Sequence, residues 1–115
     1  MKRGDVFWAD LAPRSGSEQS GRRPVIVVSH DGFNQTPNWR SVVVVPVSTS
    51  DLQSRRALTV IPLPKGTASL PQASVAVCHQ VTTLDRSKLS RLVGSLPKEI
   101  LVEVNQGLKA ALDLE

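Results

Sequence analysis

A pair of arginines at the start of an apolar strand is the part of this sequence best suited to chemistry. Arg22 and Arg23 follow the small polar segment 14–21 (RSGSEQSG) and precede Pro24 and a run of β-branched residues. A guanidinium stays charged when it is buried, and it offers paired donors to phosphate oxygens. Cations held by a strand beside a polar loop therefore favour a polyanion such as RNA as the partner.

The composition fits one small globular domain that spans residues 1–115. The chain has 14 Lys and Arg residues against 10 Asp and Glu residues, a net charge of +4, and 40% hydrophobic residues. This hydrophobic content argues against disorder and is enough for a single core. The basic excess is compatible with nucleic-acid binding without requiring it.

Cysteine and histidine are too few for most structural metal sites. Cys78 is the one cysteine of the sequence, which excludes an internal disulfide, and His30 and His79 are its two histidines. We therefore expect no metal and no cofactor. The sequence has neither a signal-peptide pattern nor an apolar segment long enough to span a bilayer, which predicts a cytoplasmic protein with no membrane partner.

Hydrophobic patterning predicts five or six short strands, a turn and one long helix. Apolar runs place the strands at 6–11, 24–29, 41–47, 57–63, 73–81 and 92–93, and a turn or short helical segment at 30–38. Residues 95–114 are predicted as the helix, with Pro97 in its first turn and apolar residues at three- and four-residue spacing. Asp85 is predicted to cap a short turn.

These elements favour a mainly β fold of the α+β class, a small barrel or strongly bent sheet with one C-terminal helix. The valine-rich strands alone would also suit parallel pairing. The connections before the last helix are too short for helical crossovers, so antiparallel strands are favoured. Pro46 lacks a backbone N–H near the end of its strand, which predicts a sheet edge or a bulge there.

Four segments in register resemble the MazF/PemK/Kid toxins of bacterial toxin–antitoxin pairs. They read RGDVFWADLAP, GSEQSGRRPVIVVS, VVVVPVSTS and CHQVTTLDRSKL, and with the final helix they cover nearly the whole chain. The resemblance implies an SH3-like barrel, a homodimer, and a metal-independent endoribonuclease that cuts single-stranded mRNA and so inhibits translation and growth. It also implies a 2′,3′-cyclic phosphate and a 5′-hydroxyl as products, and a cognate antitoxin whose C-terminal segment folds onto the toxin dimer.

The resemblance assigns catalytic roles to an arginine and a hydroxyl group. Arg23 matches the arginine of the family's RPV motif and would stabilise the phosphorane formed during cleavage. Ser48 stands where many relatives have threonine, and its hydroxyl would donate to a phosphoryl oxygen. Thr49 offers a neighbouring hydroxyl. Because side chains alternate along a strand, only one of the two is expected at the phosphate, and we favour Ser48.

His79 is a departure from the family pattern, because several relatives have aspartate at this position. Histidine suits proton transfer near neutral pH, so His79 could take the 2′-proton or protonate the leaving oxygen. The alternative is a core histidine that is hydrogen-bonded within its strand, beside Val77 and Val81.

Further polar residues are predicted to contact RNA, although each could also be a solvated surface residue or could satisfy backbone groups. The predicted substrate-binding residues are Glu18, Gln19, Arg22, Thr49, Arg55, Arg56 and Gln80. Glu18 would orient Arg23 or act on the 2′-hydroxyl, and the arginines would add a salt-dependent attraction for RNA.

Two other functions fit the same fold. One is a non-catalytic poison that resembles the CcdB type and binds DNA gyrase, and the other is an SH3-like module that binds RNA without cutting it. Neither needs the combination of Arg23, a hydroxyl at Ser48 and a proton-transfer group at His79. The sequence therefore favours the endoribonuclease.

Overall fold

The structure, a computed structural model, describes residues 1–11, 21–49 and 57–115. The strands within these ranges are β1 (Asp5–Asp10), β2 (Arg22–Val27), β3 (Ser41–Ser48), β4 (Val60–Leu63), β5 (Ser74–Val77), β6 (Thr82–Asp85) and β7 (Leu89–Ser95). The α-helices are the short α1 (Asp31–Asn34) and the long α2 (Lys98–Leu112). Single 3₁₀ turns cover Thr67–Ser69, Cys78–Gln80 and Arg86–Lys88.

The strands form one antiparallel sheet with β3 at its centre. The order is β4-β5-β3-β2-β1-β7, and β6 pairs with β3 beside this path. All strand pairs among the described residues are antiparallel, as predicted. Within the described ranges β4 and β7 do not pair, so the sheet bends without closing. The mainly β, barrel-like α+β class with one long C-terminal helix is thereby confirmed.

Strand β3 pairs with three neighbouring strands. One edge pairs with β2 through Val44–Pro46, while the other pairs with β6 through Ser41–Val44 and with β5 through Val47 and Ser48. Pro46 stands where the partner on this second edge changes from β6 to β5. The sequence predicted a sheet edge or a bulge at Pro46. An outer strand is excluded because β3 is central, but the ladder on this second edge is interrupted at Pro46, where a residue without a donor is tolerated.

Alternating side chains of the sheet build two apolar clusters on its opposite faces. The first cluster, on the side of α2, comprises Val6, Ile26, Val45, Val47, Ile61, Leu63, Ala68, Leu70, Ala76, Cys78, Leu96 and Val104. The second comprises Ala9, Leu11, Val25, Val27, Val42, Val44 and Leu84. Because both faces are apolar, the strands contain continuous valine runs instead of a strict polar–apolar alternation.

Helix α2 packs directly on the sheet through a position without a side chain. Gly107 and Val104 are its buried residues, and a Cβ at Gly107 would lie 2.7 Å from the Cys78 Sγ and 3.1 Å from Ile61. This close approach fixes the helix beside the 3₁₀ turn that follows β5. The described part of the chain contains no helix both long and apolar enough to cross a membrane.

The second half of the sheet differs most from the sequence prediction. The predicted strand 73–81 is too long, because β5 ends at Val77 and the next three residues form a 3₁₀ turn. The strand β6 was missed, and the predicted strand 92–93 is extended to β7. The prediction that Asp85 caps a turn is confirmed, since its carboxylate accepts the Ser87 N–H at 2.9 Å.

Candidate functional site

A pocket of about 200 Å³ opens where β2 begins and β3 ends. Side chains of β1, β2, β3 and the segment before β5 surround it. Its lining is Trp8, Arg22, Arg23, Pro24, Val47, Thr49, Leu70, Pro71, Gln72 and Ser74. We call this cavity the arginine pocket. It therefore contains both members of the arginine pair that the sequence singled out.

The β2–β3 ladder ends just before the two arginines and the two hydroxyl residues. Its last pair joins Val25 to Pro46, so Arg22 and Arg23 lie at the start of β2 and Ser48 and Thr49 at the end of β3, beyond the paired residues. Side chains alternate along a strand, so neighbouring residues project to opposite faces of the sheet. Alternation therefore distinguishes Arg22 from Arg23 and Ser48 from Thr49.

Exposure separates the two hydroxyl residues. Ser48 is buried, with 1% of its surface exposed, and it pairs with Val75 of β5. Thr49 is exposed and belongs to the pocket lining. Of the two hydroxyl residues, Thr49 is therefore the one that solvent reaches.

Arg22 is held in place by its neighbours on β1. Its guanidinium carbon lies 5.7 Å from the centroid of the Trp8 ring, within the range of a cation–π interaction. In the β1–β2 ladder Arg22 stands opposite Asp10, and Trp8 stands opposite Pro24. Arg22 is therefore a cation oriented by Trp8 at the wall of the arginine pocket. The sequence alone did not decide whether Arg22 is a solvated residue or a binding residue.

His79 lies apart from the arginine pocket. It is exposed in the 3₁₀ turn after β5, and its Nδ1 is hydrogen-bonded to the Thr59 Oγ1 at 2.8 Å. The chain rejoins β3 at Thr82, opposite Val44, whereas Ser48 pairs with Val75 before the turn. The alternative of a core histidine is wrong, because the side chain points into solvent from a turn.

The remaining predicted residues fall into two groups. Gln80 is half-buried in the same turn as His79, and neither residue belongs to the described lining of the arginine pocket. The other predicted contacts lie outside the described residues, and these are Glu18, Gln19, Arg55 and Arg56.

Sequence reasoning missed the part of the pocket that precedes β5. Gln72 and Ser74 line the pocket, and the Ser74 hydroxyl donates to the Gln72 carbonyl at 2.9 Å. No motif marks these positions. The available signal was the turn residue Pro71, three residues before the start of β5, which places polar side chains at a sheet end.

The described ranges contain neither a cluster of metal-ligating side chains nor an ionised thiol. Residues 1–11, 21–49 and 57–115 contain no group of three or more His, Cys, Asp or Glu residues arranged to hold a metal ion. Cys78 is fully buried, and this burial raises the pKa of its thiol to about 11. The thiol therefore stays protonated and unreactive near neutral pH.

Comparisons with known proteins agree with this fold. Residues 2–112 match the model of the PemK-like, MazF-like toxins of type II toxin–antitoxin systems. The endoribonuclease MazF6 of Mycobacterium tuberculosis is 36% identical over 118 residues, which cover 99% of this chain and 98% of that protein. The chain belongs to the PemK/MazF-like toxin family.

Solved structures of related proteins share the fold over the full length. A mycobacterial endoribonuclease in complex with its cognate antitoxin superposes with a TM-score of 0.81 and 23% identity, covering 100% of this chain and 97% of that one. MazF of Deinococcus radiodurans in a MazE–MazF complex gives a TM-score of 0.74 and 25% identity, with coverage of 100% and 97%.

Proposed function

We propose that this chain is the toxin of a type II toxin–antitoxin pair and acts as an endoribonuclease on single-stranded mRNA. The single observation that carries the proposal is the arginine pocket, whose lining includes Arg22, Arg23 and the exposed Thr49 at the start of β2 and the end of β3. The relatives named as endoribonucleases support the reaction class. Cutting mRNA would inhibit translation and growth.

The proposed reaction uses the 2′-hydroxyl of the RNA as the nucleophile. Its oxygen attacks the adjacent phosphorus, the bond to the 5′-oxygen breaks, and a 2′,3′-cyclic phosphate and a 5′-hydroxyl result. The chain needs no metal for this step if fixed donors stabilise the dianionic phosphorane. Arg23 is assigned to this stabilisation, since its fork-shaped donors match two phosphoryl oxygens.

Thr49 is assigned to the phosphate contact because it is exposed in the pocket lining. Ser48 remains the residue predicted from the family pattern, and its burial beside β5 supports a role behind the phosphate-binding surface. His79 remains the predicted proton-transfer residue. Its bond to Thr59 would fix the ring orientation, which leaves Nε2 as the nitrogen for the proton.

The proposed partners are an antitoxin and a second copy of the chain. The family model describes toxins of toxin–antitoxin systems, and the MazE–MazF complex supports a bound antitoxin. The homodimer follows from the family resemblance, and the cytoplasmic location stays a prediction from the sequence, which has one cysteine and no signal-peptide pattern. The net charge of +4 would favour an acidic antitoxin segment.

A cleavage assay in EDTA tests the proposal. The purified protein should cut a long RNA at discrete positions, with cyclic phosphate ends. Arg23→Ala should lower kcat by about a hundredfold or more, because a fixed transition-state donor is lost. Thr49→Val should lower kcat at least about tenfold, and Ser48→Ala should have the smaller effect.

Arg91→Ala is the matched control, because Arg91 is exposed on β7 outside the arginine pocket. It removes the same charge and should leave cleavage within about twofold. If wild-type protein makes no cuts, the proposal fails, and inhibition of DNA gyrase would then support the CcdB-like alternative. If Ser48→Ala has the larger effect, the assignment of the phosphate contact to Thr49 is wrong.

A further inference from the structure

A second cleft lies next to the arginine pocket and has no role in the chemistry described so far. It has a volume of about 490 Å³ and lies where β1 ends, β2 begins and the chain enters β7. Its lining is Asp10, Arg22, Ser87, Lys88 and Ser90. We call it the flanking cleft.

Arg22 connects the flanking cleft to the arginine pocket, because it lines both. Its guanidinium lies over the Trp8 ring, and Asp10 of the same strand β1 is its cross-strand neighbour. A phosphodiester bound at Arg22 therefore lies at the boundary of the two cavities. An RNA chain with one nucleotide in the arginine pocket would pass directly into the flanking cleft.

The groups that line the cleft match the several parts of a nucleotide. Arg22 and Lys88 supply positive charge for a phosphate, and the Ser87 hydroxyl can donate a hydrogen bond. The Ser90 hydroxyl donates its proton to the Trp8 carbonyl at 3.2 Å, so it offers an acceptor to the cleft. Acceptors of this kind suit the 2′-hydroxyl of a ribose and the amino groups of bases.

The carboxylate of Asp10 argues for a nucleotide over a simple anion or an acidic peptide. Among the described lining residues it stands beside two cations, Arg22 and Lys88, so the lining is mixed in charge and suits a ligand that carries donors as well as an anion. An RNA nucleotide brings both, since its ribose hydroxyl and base amino groups can donate to carboxylate oxygens. The volume of about 490 Å³ also lies in the range of small-ligand sites.

We propose that the flanking cleft binds the RNA nucleotide next to the scissile step, with Lys88 on its phosphate and the acceptors of Asp10 and Ser90 on its ribose or base. This proposal rests on the proposed endoribonuclease function. It makes the cleft a determinant of which sequence beside the cut is accepted. A variant in the cleft should change substrate binding, in contrast to one that removes a transition-state donor.

The test measures binding of a seven-nucleotide RNA centred on a cut mapped in the EDTA assay. A 2′-deoxy substitution at the cut removes the nucleophile and keeps the RNA intact. Lys88→Gln should weaken binding about fivefold or more at low salt. It should also lower the slope of log Kd against log salt concentration by about 0.7, the loss of one phosphate contact.

Lys109→Gln is the matched control, since Lys109 is an exposed lysine on α2 away from both cavities. A neutral methylphosphonate at either phosphate beside the cut gives the second readout. At one of these two positions it should weaken wild-type binding and abolish the additional effect of Lys88→Gln, because the paired charge is already absent.

Three results would overturn the proposal. One is equal binding by Lys88→Gln and Lys109→Gln, and another is an unchanged Lys88→Gln effect with both methylphosphonates. The third is that Lys88→Gln loses affinity for the antitoxin while its RNA binding is unaltered, which would make the cleft an antitoxin site. If the wild-type protein cuts RNA while any of these holds, the flanking-cleft proposal fails and the endoribonuclease proposal stands.

Discussion

At the scale of single residues, the site is arranged by strand alternation more than by sequence adjacency. Arg22 and Arg23 are neighbours in the chain, yet they project to opposite faces and have different partners. Only Arg22 is stacked over Trp8 and shared with the flanking cleft. The two arginines are therefore expected to act differently, Arg23 on the transition state and Arg22 on the bound RNA.

The role of His79 can be tested by a variant that keeps the size and polarity of the side chain. If His79 transfers a proton, His79→Gln should lower kcat by about a hundredfold, because glutamine keeps the polarity of the side chain but cannot transfer a proton. The affinity for 2′-deoxy RNA should change little.

Thr59→Val provides the comparison for His79, because it removes only the hydrogen bond to Nδ1. A positioning role of Thr59 predicts a smaller fall in kcat with the pH profile retained. A kcat for His79→Gln within a few-fold of the wild-type value would remove the histidine from the mechanism.

At the scale of elements, the sequence predicted strands well where the apolar runs are long and poorly where turns intervene. Strands β2 and β3 were placed to within two residues because their valine-rich runs have strong β propensity. The end of β5 could not be foreseen, because Val77 and Val81 continue the apolar pattern through a 3₁₀ turn. Because a 3₁₀ turn replaces the predicted strand here, His79 is exposed in a turn and not part of a strand.

The site was predictable only in part for the same reason. The arginine pair and the two hydroxyls carry a family motif, whereas Gln72 and Ser74 enter the pocket through a tertiary contact that no local pattern records. The flanking cleft likewise joins the end of β1 to the start of β7, which are about eighty residues apart in the sequence.

The packing of α2 gives a prediction that opposes helix propensity. Gly107→Ala should favour the isolated helix by about 1 kcal/mol. In the folded protein the new Cβ would meet the Cys78 Sγ at 2.7 Å, so we expect a net loss of about 1–2 kcal/mol in the free energy of unfolding. Denaturant unfolding measures the change.

Gln106→Ala is the control for this prediction, because Gln106 is exposed at the adjacent position of α2. It should be neutral or slightly stabilising. If Gly107→Ala stabilises the protein as much as Gln106→Ala does, the close packing of the helix on the turn is wrong.

At the scale of the whole molecule, charge links distant segments and sets a dependence of stability on pH. Arg40, before β3, forms an ion pair with Asp85 at the end of β6, with an N–O distance of 2.7 Å. Hydrogen bonds from Arg40 and Ser87 hold the pKa of the Asp85 carboxyl well below its usual range. Because the folded-state pKa is lowered, the stabilisation is present at neutral pH and is lost on acidification.

We therefore expect the free energy of unfolding to fall as the pH drops below about 4, the usual range for aspartate in an unfolded chain. Asp85→Asn should lower stability at pH 7 and flatten the decline below that range. Denaturant unfolding at several pH values measures both effects. Glu103→Gln, on the exposed face of α2, serves as the control, and an equal flattening in this variant would contradict the role of Asp85.

The central position of β3 has a consequence for how the protein unfolds and loses activity on heating. Ser48 is the last residue of a strand that pairs with three other strands, so this strand cannot separate without disrupting the sheet. Heating should consequently abolish catalysis and tertiary structure in a single transition. We therefore expect no thermal intermediate that is inactive but still folded.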